Sequence, residues 1–366
     1  MIRGQEAVID LSALRYNYKK LKKLAGGIPA IAVVKADAYG HGAVEVSRAL
    51  EEEGADFLAV AYLSEAKALR QAGIKTEIIV LFDEGEGEVH AFAELALTPV
   101  LHSPEAALAF SAEGMKRGRP VNVHVKVDTG MGRMGMPLES AEQEILKMAG
   151  LPGIRITGLM SHFSEVNPDD LSYARLQLAR FRGLRESLSR EGIRPLCHMS
   201  SSASTLLMPE SHLDCLRIGL LLYGSLPFGA SGPGWDFRPV MKVKSRVMGL
   251  KKLRKGEPVS YDRTFIAPRD SVIAAVPVGY ADGYMRAFSN RAEMLVRGRR
   301  APVAGRVCMD LTLLDVTDVM DVSKGDEVVL LGDGLSHLEL AARAGTNPYE
   351  IMTSLGRGAR RSYYSA

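Results

Sequence analysis

Cysteine is scarce in this sequence, and it has no long uninterrupted apolar segment. The 366 residues include three cysteines, Cys197, Cys215 and Cys308. This odd, widely spaced set does not suggest a disulfide framework and suits a reducing compartment. No run approaches the roughly 18 apolar residues of a membrane span, and the N-terminal MIRGQEAVID lacks the apolar region of a signal peptide. These absences predict a cytoplasmic protein with no membrane partner.

A strong excess of charge of one sign is also missing. The chain has 46 Lys and Arg residues against 43 Asp and Glu, a formal net charge of +3, far below the concentrated basic field of a nucleic-acid-binding protein. His212 and Cys215 stand three apart without a second ligand pair, so we expect no metal site. With 46% hydrophobic and 24% charged residues, the composition is typical of a globular protein large enough for two domains.

Short apolar runs alternate with helical patterns, after an opening helix for which Asp10 and Ser12 are candidate caps. Most of the runs are nearly continuous, as in parallel strands that are buried on both faces. The predicted strands are AIAVVK (30–35), FLAVAY (57–62), EIIVLF (77–82), TPVLHS (98–103), VNVHVKVD (121–128), ITGLMSHF (156–163), LCHMSS (196–201) and CLRIGLLLYG (215–224). This α/β alternation favours a (β/α)8 barrel of the TIM type over an open doubly wound sheet.

The pattern changes after the segment GASGPG at 229–234. Stretches such as VMKVKSRVMGLKKL, SVIAAVPVGYADGY and GDEVVLLGD alternate between apolar and polar residues and are separated by Gly-rich and Asp-rich turns, which is typical of antiparallel strands. The sequence therefore predicts a barrel at 1–234 and a mostly antiparallel β domain at 235–366, with a short helix near LELAARAG. Whether a short N-terminal strand joins the second domain stays open.

Polar residues that end the apolar runs are the candidates for chemistry, because function in such barrels lies at the C-terminal ends of the strands. Partial burial at a strand end would lower the pKa of Lys35 and favour a neutral amine that can form a Schiff base. The alternative is a lysine that reaches from the strand end to water. The candidates are Lys35, Lys126, Asp128, His162, Ser202 and Arg217.

Two further clusters suggest anion binding. Arg133 lies on the glycine-rich loop of VKVDTGMGRMG, where an arginine can grip a carboxylate with two hydrogen bonds or, alternatively, form surface ion pairs. The serine run at 200–204 and the segment LRIGLLLYG at 216–224 fall on the last two predicted strands, the usual phosphate-binding quarter of a barrel. A serine run that is simply a turn is the alternative.

Taken in order, VVKADAYGHG, KVDTGMGRMG, the SHF around His162, RIGLLLYG, GYADGY (279–284) and CMD (308–310) resemble the motifs of the bacterial alanine racemases. The resemblance covers essentially the whole chain. It implies a (β/α)8 barrel followed by a β domain, pyridoxal 5'-phosphate as cofactor, and an amino acid as substrate. It also implies a two-base interconversion of L- and D-alanine that supplies D-alanine for peptidoglycan.

The resemblance further implies a role for each matching residue. Lys35 would hold the cofactor and act as one catalytic base, and Tyr280 would be the other. Lys126, in this family often carbamylated, would orient Arg133, and its alternative is a plain buried pair with Asp128. The residues implied around the cofactor are Tyr39, His162, Ser202, Arg217, Gly219 and Leu220, those implied at the substrate carboxylate are Arg133 and Met309, and the supporting residues are Lys126 and Asp310.

Active sites in this family combine the barrel of one subunit with the β domain of another, so the resemblance implies a homodimer. Ser201 stands where asparagine is common, and the C-terminal LGRGARRSYY also departs from the family pattern, which leaves substrate selectivity open. The alternatives are racemisation of serine or of a broader set of amino acids, a non-catalytic barrel of pyridoxal-phosphate homeostasis, and a cofactor-free Schiff-base aldolase. GYADGY and CMD in the second domain argue against the non-catalytic barrel.

Overall fold

The computed structural model describes residues 4–82, 87–228, 232 and 234–365. These residues divide into two compact units. The barrel unit consists of Asn17–Ala36 and Ser47–Leu222, and the second unit consists of the described residues of Met1–Tyr16, Asp37–Val46 and Tyr223–Ala366. The boundary at residue 234 stays a prediction, since GASGPG lies largely outside the described residues.

The barrel unit contains eight parallel strands in one nearly closed sheet. In the order of the chain, the strands are Ala30–Val33, Phe57–Val60, Glu77–Val80, Leu97–Leu101, Val121–Asp128, Ile154–Met160, Leu196–His198 and Leu216–Ile218. The last strand pairs with the first, and the amide of Arg217 donates to the carbonyl oxygen of Ser200 at 3.2 Å, beyond the end of the seventh strand. Each strand overlaps a predicted apolar run, and the predicted fold class is confirmed.

Helices alternate with these strands. Asp10 caps the first of them, because its carboxylate accepts the amide of Ala13 at 2.9 Å. The helix Ser172–Arg190 buries Leu178, Phe181 and Leu184 at helical spacing. The helices are Leu11–Leu24, Ala43–Glu52, Leu63–Gln71, Val89–Glu94, Pro104–Lys116, Leu138–Ala149, Ser172–Arg190 and Ser202–Leu207.

The second unit is built on a mostly antiparallel six-stranded sheet. Its N-terminal strand Glu6–Asp10 lies between Met241–Arg246, to which it is antiparallel, and Arg360–Tyr364, to which it is parallel. The sheet order is Arg299–Pro302, Glu293–Val296, Glu327–Leu331, Met241–Arg246, Glu6–Asp10 and Arg360–Tyr364. The N-terminal strand, left open by the sequence, thus belongs to this sheet.

Smaller elements complete the second unit. Gly249–Leu253, Ser271–Val276 and Thr312–Asp315 form a three-stranded antiparallel sheet, and Pro258–Val259 pairs with Phe265–Ile266. The predicted helix near LELAARAG is His337–Ala344. A second helix, Pro348–Arg357, was not predicted.

None of the helices in the described ranges has both the length and the hydropathy needed to cross a bilayer. His, Cys, Asp and Glu side chains of the same ranges do not gather in groups of three or more that could hold a metal ion. Cys197 and Cys215 are buried thiols, and burial raises the pKa of each to about 12.

Candidate active site

Cationic side chains gather at the C-terminal ends of the barrel strands. The Nζ atoms of Lys35 and Lys126 lie 4.9 Å and 5.4 Å from the ring centroid of Phe82. The guanidinium carbon of Arg133 lies 5.4 Å from the same centroid. An aromatic face attracts a cation, but three cations around one ring also repel one another. Together with Arg217, whose charge acts on Lys35 and Lys126, they form what we call the cation cluster.

The two carboxylates beside the cation cluster accept hydrogen bonds from the backbone. Asp128 accepts from the three amides of residues 130–132 at 2.7 to 2.8 Å, which fixes the loop that carries Arg133. Glu65 accepts from the amides of Ala36 and Ala61 at 2.6 and 2.7 Å. The guanidinium groups of Arg133 and Arg217 stay charged beside them, and this positive charge suits an anionic ligand.

Burial makes both lysines of the cluster easier to deprotonate. It is the main cause that lowers the pKa of Lys35, and the charge of Arg133 adds to it. Burial, then Arg133 and Arg217, lower the pKa of Lys126 to about 8. The Nζ atom of Lys126 is buried and has no hydrogen-bond partner among the described residues. It is therefore not hydrogen-bonded to Asp128, although the charge of Asp128 acts on it and raises its pKa. Both amines are thus disposed to be neutral nucleophiles or bases.

Arg217 is the centre of a buried hydrogen-bond chain. Its guanidinium donates to Nδ1 of His162 at 2.9 Å and to Nδ1 of His198 at 2.8 Å. Because a guanidinium only donates, His198 must carry its proton on Nε2, which then donates to Nδ1 of His124 at 3.0 Å. Burial is the main cause that lowers the pKa of each of these histidines, and the charge of Arg217 adds to it. Arg217 therefore stays charged and faces neutral ring nitrogens.

His124 and His198 were missed by the sequence reasoning. His124 lies two residues before Lys126 on the same strand, so both side chains point to one face. On the neighbouring strand, Gly158 is paired with His124, and a Cβ atom at position 158 would lie 2.3 Å from its ring. A glycine opposite a buried histidine is a signal that could have been noticed only with the strand register known.

The seventh and eighth strands end in a group of polar atoms. The hydroxyl of Ser202 accepts the amides of Gly219 and Leu221 at 3.3 and 3.2 Å. Ser202 begins the helix Ser202–Leu207, and Leu220 begins the 3-10 turn Leu220–Tyr223. The predicted residues Ser202, Gly219 and Leu220 are thus brought together, and their hydroxyl and amide groups suit a phosphate.

Lys35 opens a left-handed turn. The first strand, predicted to reach residue 35, ends at Val33, and the helical segment Lys35–Tyr39 follows. Ala36–Tyr39 have φ between 51° and 55° although none of them is glycine. Such a conformation costs roughly 1–2 kcal/mol per residue. Strain of this kind is often found at functional sites.

In the second unit, the GYADGY and CMD segments lie together. The amide of Tyr280 donates to the carbonyl oxygen of Cys308 at 3.1 Å, and the amide of Ala281 donates to that of Met309 at 3.0 Å. The residues Tyr280 and Met309 are 43% and 54% exposed, and Asp310 is exposed on the same loop. The structure therefore brings together Tyr280, Met309 and Asp310, three of the predicted residues of this unit, with side chains available to a ligand or partner.

A further tyrosine, missed by the sequence reasoning, is held against the same loop. Tyr261 is 67% exposed, and its neighbours Ser260 and Asp262 have φ of 64° and 59°. The Ser260 hydroxyl donates to the carbonyl oxygen of Arg306 at 2.7 Å and lies 3.6 Å from the sulfur of Cys308. Strained backbone beside an exposed phenol marks this turn as a second candidate.

Known proteins match the chain over nearly its full length. The family model "Alanine racemase, N-terminal domain" matches residues 9–227, and "Alanine racemase, C-terminal domain" matches residues 240–363. An alanine racemase of Thermodesulfovibrio yellowstonii is 45% identical over 99% of this chain and 98% of its own length. The structure of an alanine racemase from Clostridium difficile 630 has a TM-score of 0.93 at 33% identity, with 100% of this chain and 97% of that chain covered. That of an alanine racemase from Bartonella henselae with covalently bound pyridoxal phosphate has a TM-score of 0.89 at 28% identity, with 99% and 100% covered.

Proposed function

The chain belongs to the alanine racemase family, and from this premise we propose that it interconverts L- and D-alanine with pyridoxal 5'-phosphate held by Lys35. The observation that carries the proposal is the cation cluster, in which a lysine of lowered pKa stands beside Arg217 and its neutral histidines. Cytoplasmic D-alanine production for peptidoglycan is the physiological role that we propose with it.

The residues present fit each part of this cofactor. The amine of Lys35 can bond covalently to the carbonyl carbon of the cofactor, and Arg217 can donate a hydrogen bond to an unprotonated ring nitrogen. The Ser202 hydroxyl and the Gly219 amide are groups that can hydrogen-bond to a phosphate. When bound, the cofactor supplies an electron-withdrawing ring that acidifies the α-carbon of an amino acid. Because Arg217 donates and does not release its proton, it would keep the ring nitrogen unprotonated and limit this withdrawal.

Racemisation requires a proton to leave one face of the α-carbon and another to reach the opposite face. We propose that the Nζ atom of Lys35 holds and moves the proton on one face. Arg133, fixed through the Asp128 loop, and the backbone amide of Met309 would bind the substrate carboxylate, while Asp310 would support the second base.

The second base is proposed to be a tyrosine of the second unit. Tyr280 is the residue implied by the motif resemblance, and the strained turn at Tyr261 supports that residue as the alternative. Tyr280→Phe and Tyr261→Phe distinguish them, since removal of a general base lowers the rate roughly 10²- to 10⁴-fold. The replacement at the base should stop α-proton exchange in deuterated water for one enantiomer and spare it for the other. A loss below tenfold in both variants would exclude Tyr280 and Tyr261 as the second base.

The exposed Tyr280 and Met309 support a homodimer in which each site combines a barrel with the partner's second unit. Lys35→Ala and whichever tyrosine variant is inactive should each be inactive alone. When they are mixed under conditions that allow subunits to exchange, part of the activity should return, because some sites would contain two intact bases. Complete lack of recovery despite proven exchange contradicts shared sites.

The substrate is tested directly with the purified enzyme. L-alanine, L-serine and further L-amino acids are incubated with and without added pyridoxal phosphate, and the D-isomers are measured by chiral chromatography. We expect D-alanine to form fastest, and Lys35→Ala is the matched control that should form none. Faster formation of D-serine would favour the serine alternative, which the departure at Ser201 leaves open, and no D-alanine at all would overturn the proposal.

A further inference from the structure

A buried histidine holds the left-handed turn from inside the second unit. His41 is fully buried, and its Nδ1 atom lies 2.9 Å from the carbonyl oxygen of Ala38 and 3.2 Å from that of Tyr39. These carbonyls belong to two of the residues with positive φ. The His41 side chain thus hydrogen-bonds to the residues whose backbone is strained in this turn.

The partners of His41 define its protonation. Carbonyl oxygens only accept, so Nδ1 must carry the proton. The Nε2 atom is buried and has no hydrogen-bond partner in the part of the chain that the structure describes. A second proton there would be left without an acceptor, and burial, with nearby His337 and Arg361, lowers the pKa of His41 to about 3. The ring is therefore a neutral donor at any working pH.

Ring packing links His41 to Tyr39. The imidazole lies 4.4 Å from the ring centroid of Tyr223, and Tyr223 meets Tyr39 edge to face at 5.0 Å. Arg361 adds a second restraint, since it donates to the carbonyl oxygen of Gly40 at 2.8 Å and pairs with Asp37 at 2.5 Å. The position of the Tyr39 ring therefore depends on His41 both through the backbone and through Tyr223.

We propose that His41 is a positioning residue, which locks the turn Ala36–Tyr39 through its Nδ1–H group and so aims the Tyr39 hydroxyl at the cofactor phosphate. The inference rests on the proposed function and on the place beside the cofactor phosphate that the motif resemblance implies for Tyr39. His41 itself touches neither the cofactor nor the substrate in this scheme, and it acts through the turn.

Binding of pyridoxal phosphate to three variants tests the role of the Nδ1 donor. His41→Leu should raise the Kd about tenfold, equivalent to about 1.4 kcal/mol, because the Nδ1–H hydrogen bond shared by the two carbonyl oxygens is lost. His41→Asn keeps a donor near the position of Nδ1 and should stay within about threefold of wild type. His337→Leu, a buried histidine of the same unit without a bond to the turn, is the matched control and should also stay within about threefold. Equal losses in all three variants, or no loss in His41→Leu, overturn the inference.

A double-mutant cycle tests whether His41 acts through Tyr39. Tyr39→Phe should raise the Kd for pyridoxal phosphate. Adding His41→Leu to that variant should raise the Kd little further, because the Tyr39 hydroxyl that His41 positions is already removed. If the increases in Kd from the two single variants multiply in the double variant, His41 does not act through the Tyr39 hydroxyl, and the inference is overturned.

The protonation state can be measured in the wild-type protein, so the test survives a variant that does not fold. Nitrogen-15 NMR of labelled histidine should show His41 as a neutral Nδ1–H tautomer without cofactor, and an Nε2–H tautomer refutes the lock. Failure of the proposed function looks different, since wild type would then form no reducible link between pyridoxal phosphate and Lys35. If wild type forms that link and His41→Leu binds the cofactor equally well, the His41 inference alone fails.

Discussion

Replacing Lys126 by methionine is expected to remove a negative charge from the candidate active site, because we expect the native amine to react with carbon dioxide. The neutral nitrogen would attack the carbon of carbon dioxide, a nitrogen–carbon bond would form, and one N–H proton would leave to solvent. The resulting carbamate carries one negative charge. It would face Arg133, whose charge acts on Lys126 in the present structure.

The lowered pKa of Lys126 sets the size of this effect. With a pKa of about 8, roughly one amine in ten is neutral at pH 7, against about one in 3,000 for a lysine of ordinary pKa. Burial and the neighbouring cations thus increase the reactive form about 300-fold. The same cations that disfavour an ammonium group would stabilise a carbamate. They therefore favour both the neutral amine that reacts and the carbamate that forms.

Carbon-13 NMR of the enzyme in labelled bicarbonate measures the modification. Wild type should show one carbamate signal that is absent in Lys126→Met and kept in Lys147→Met, an exposed lysine that pairs with Glu144. Lys126→Met should also raise KM for alanine about tenfold or more, because Arg133 loses a charged partner that orients it. Absence of the signal in wild type, or its survival in Lys126→Met, refutes the reasoning.

Two further predictions concern the buried arginine and histidines. Arg217→Glu should raise transamination relative to racemisation, since a carboxylic acid can protonate the ring nitrogen, and an unchanged ratio of pyruvate to D-alanine would count against this role. Burial lowers the pKa of His124 and of His337 to about 4, whereas both bind protons near pH 6.5 when unfolded. Their contribution to stability is therefore present above pH 6.5 and lost as the pH falls towards 4, by at most about 3 kcal/mol each. Urea unfolding at pH 7.5 and 4.5 measures the loss, and His337→Asn should reduce it.

Much of the barrel could be predicted because each of its strands is marked by a pattern in the local sequence. Runs such as AIAVV and the IIV of the third strand are apolar at every position, which is typical of a strand buried on both faces. Strand ends are also where polar side chains must appear, so Lys35, Ser202 and Arg217 could be proposed before the structure was known. Their mutual arrangement could not, since it depends on how the sheet closes.

The turn after the first strand shows where such reasoning fails. ADAY contains no glycine, so nothing in the local sequence predicts four consecutive residues of positive φ. The conformation is maintained by His41 and by Arg361, which bonds to Gly40 from 321 positions away. His124 escaped notice for a similar reason, because the space for its ring is provided by Gly158 on another strand. Tertiary contacts, not propensity, decide both features.

The six-stranded sheet of the second unit has a consequence for protein synthesis. Glu6–Asp10 leaves the ribosome before its sheet partners Met241–Arg246 and Arg360–Tyr364 are made. The strand therefore has two open edges while the barrel unit, Asn17–Ala36 and Ser47–Leu222, is made. Open edges invite pairing with other nascent chains. A strand of five residues, with Glu6 and Asp10 at its ends, keeps that hazard small during the wait.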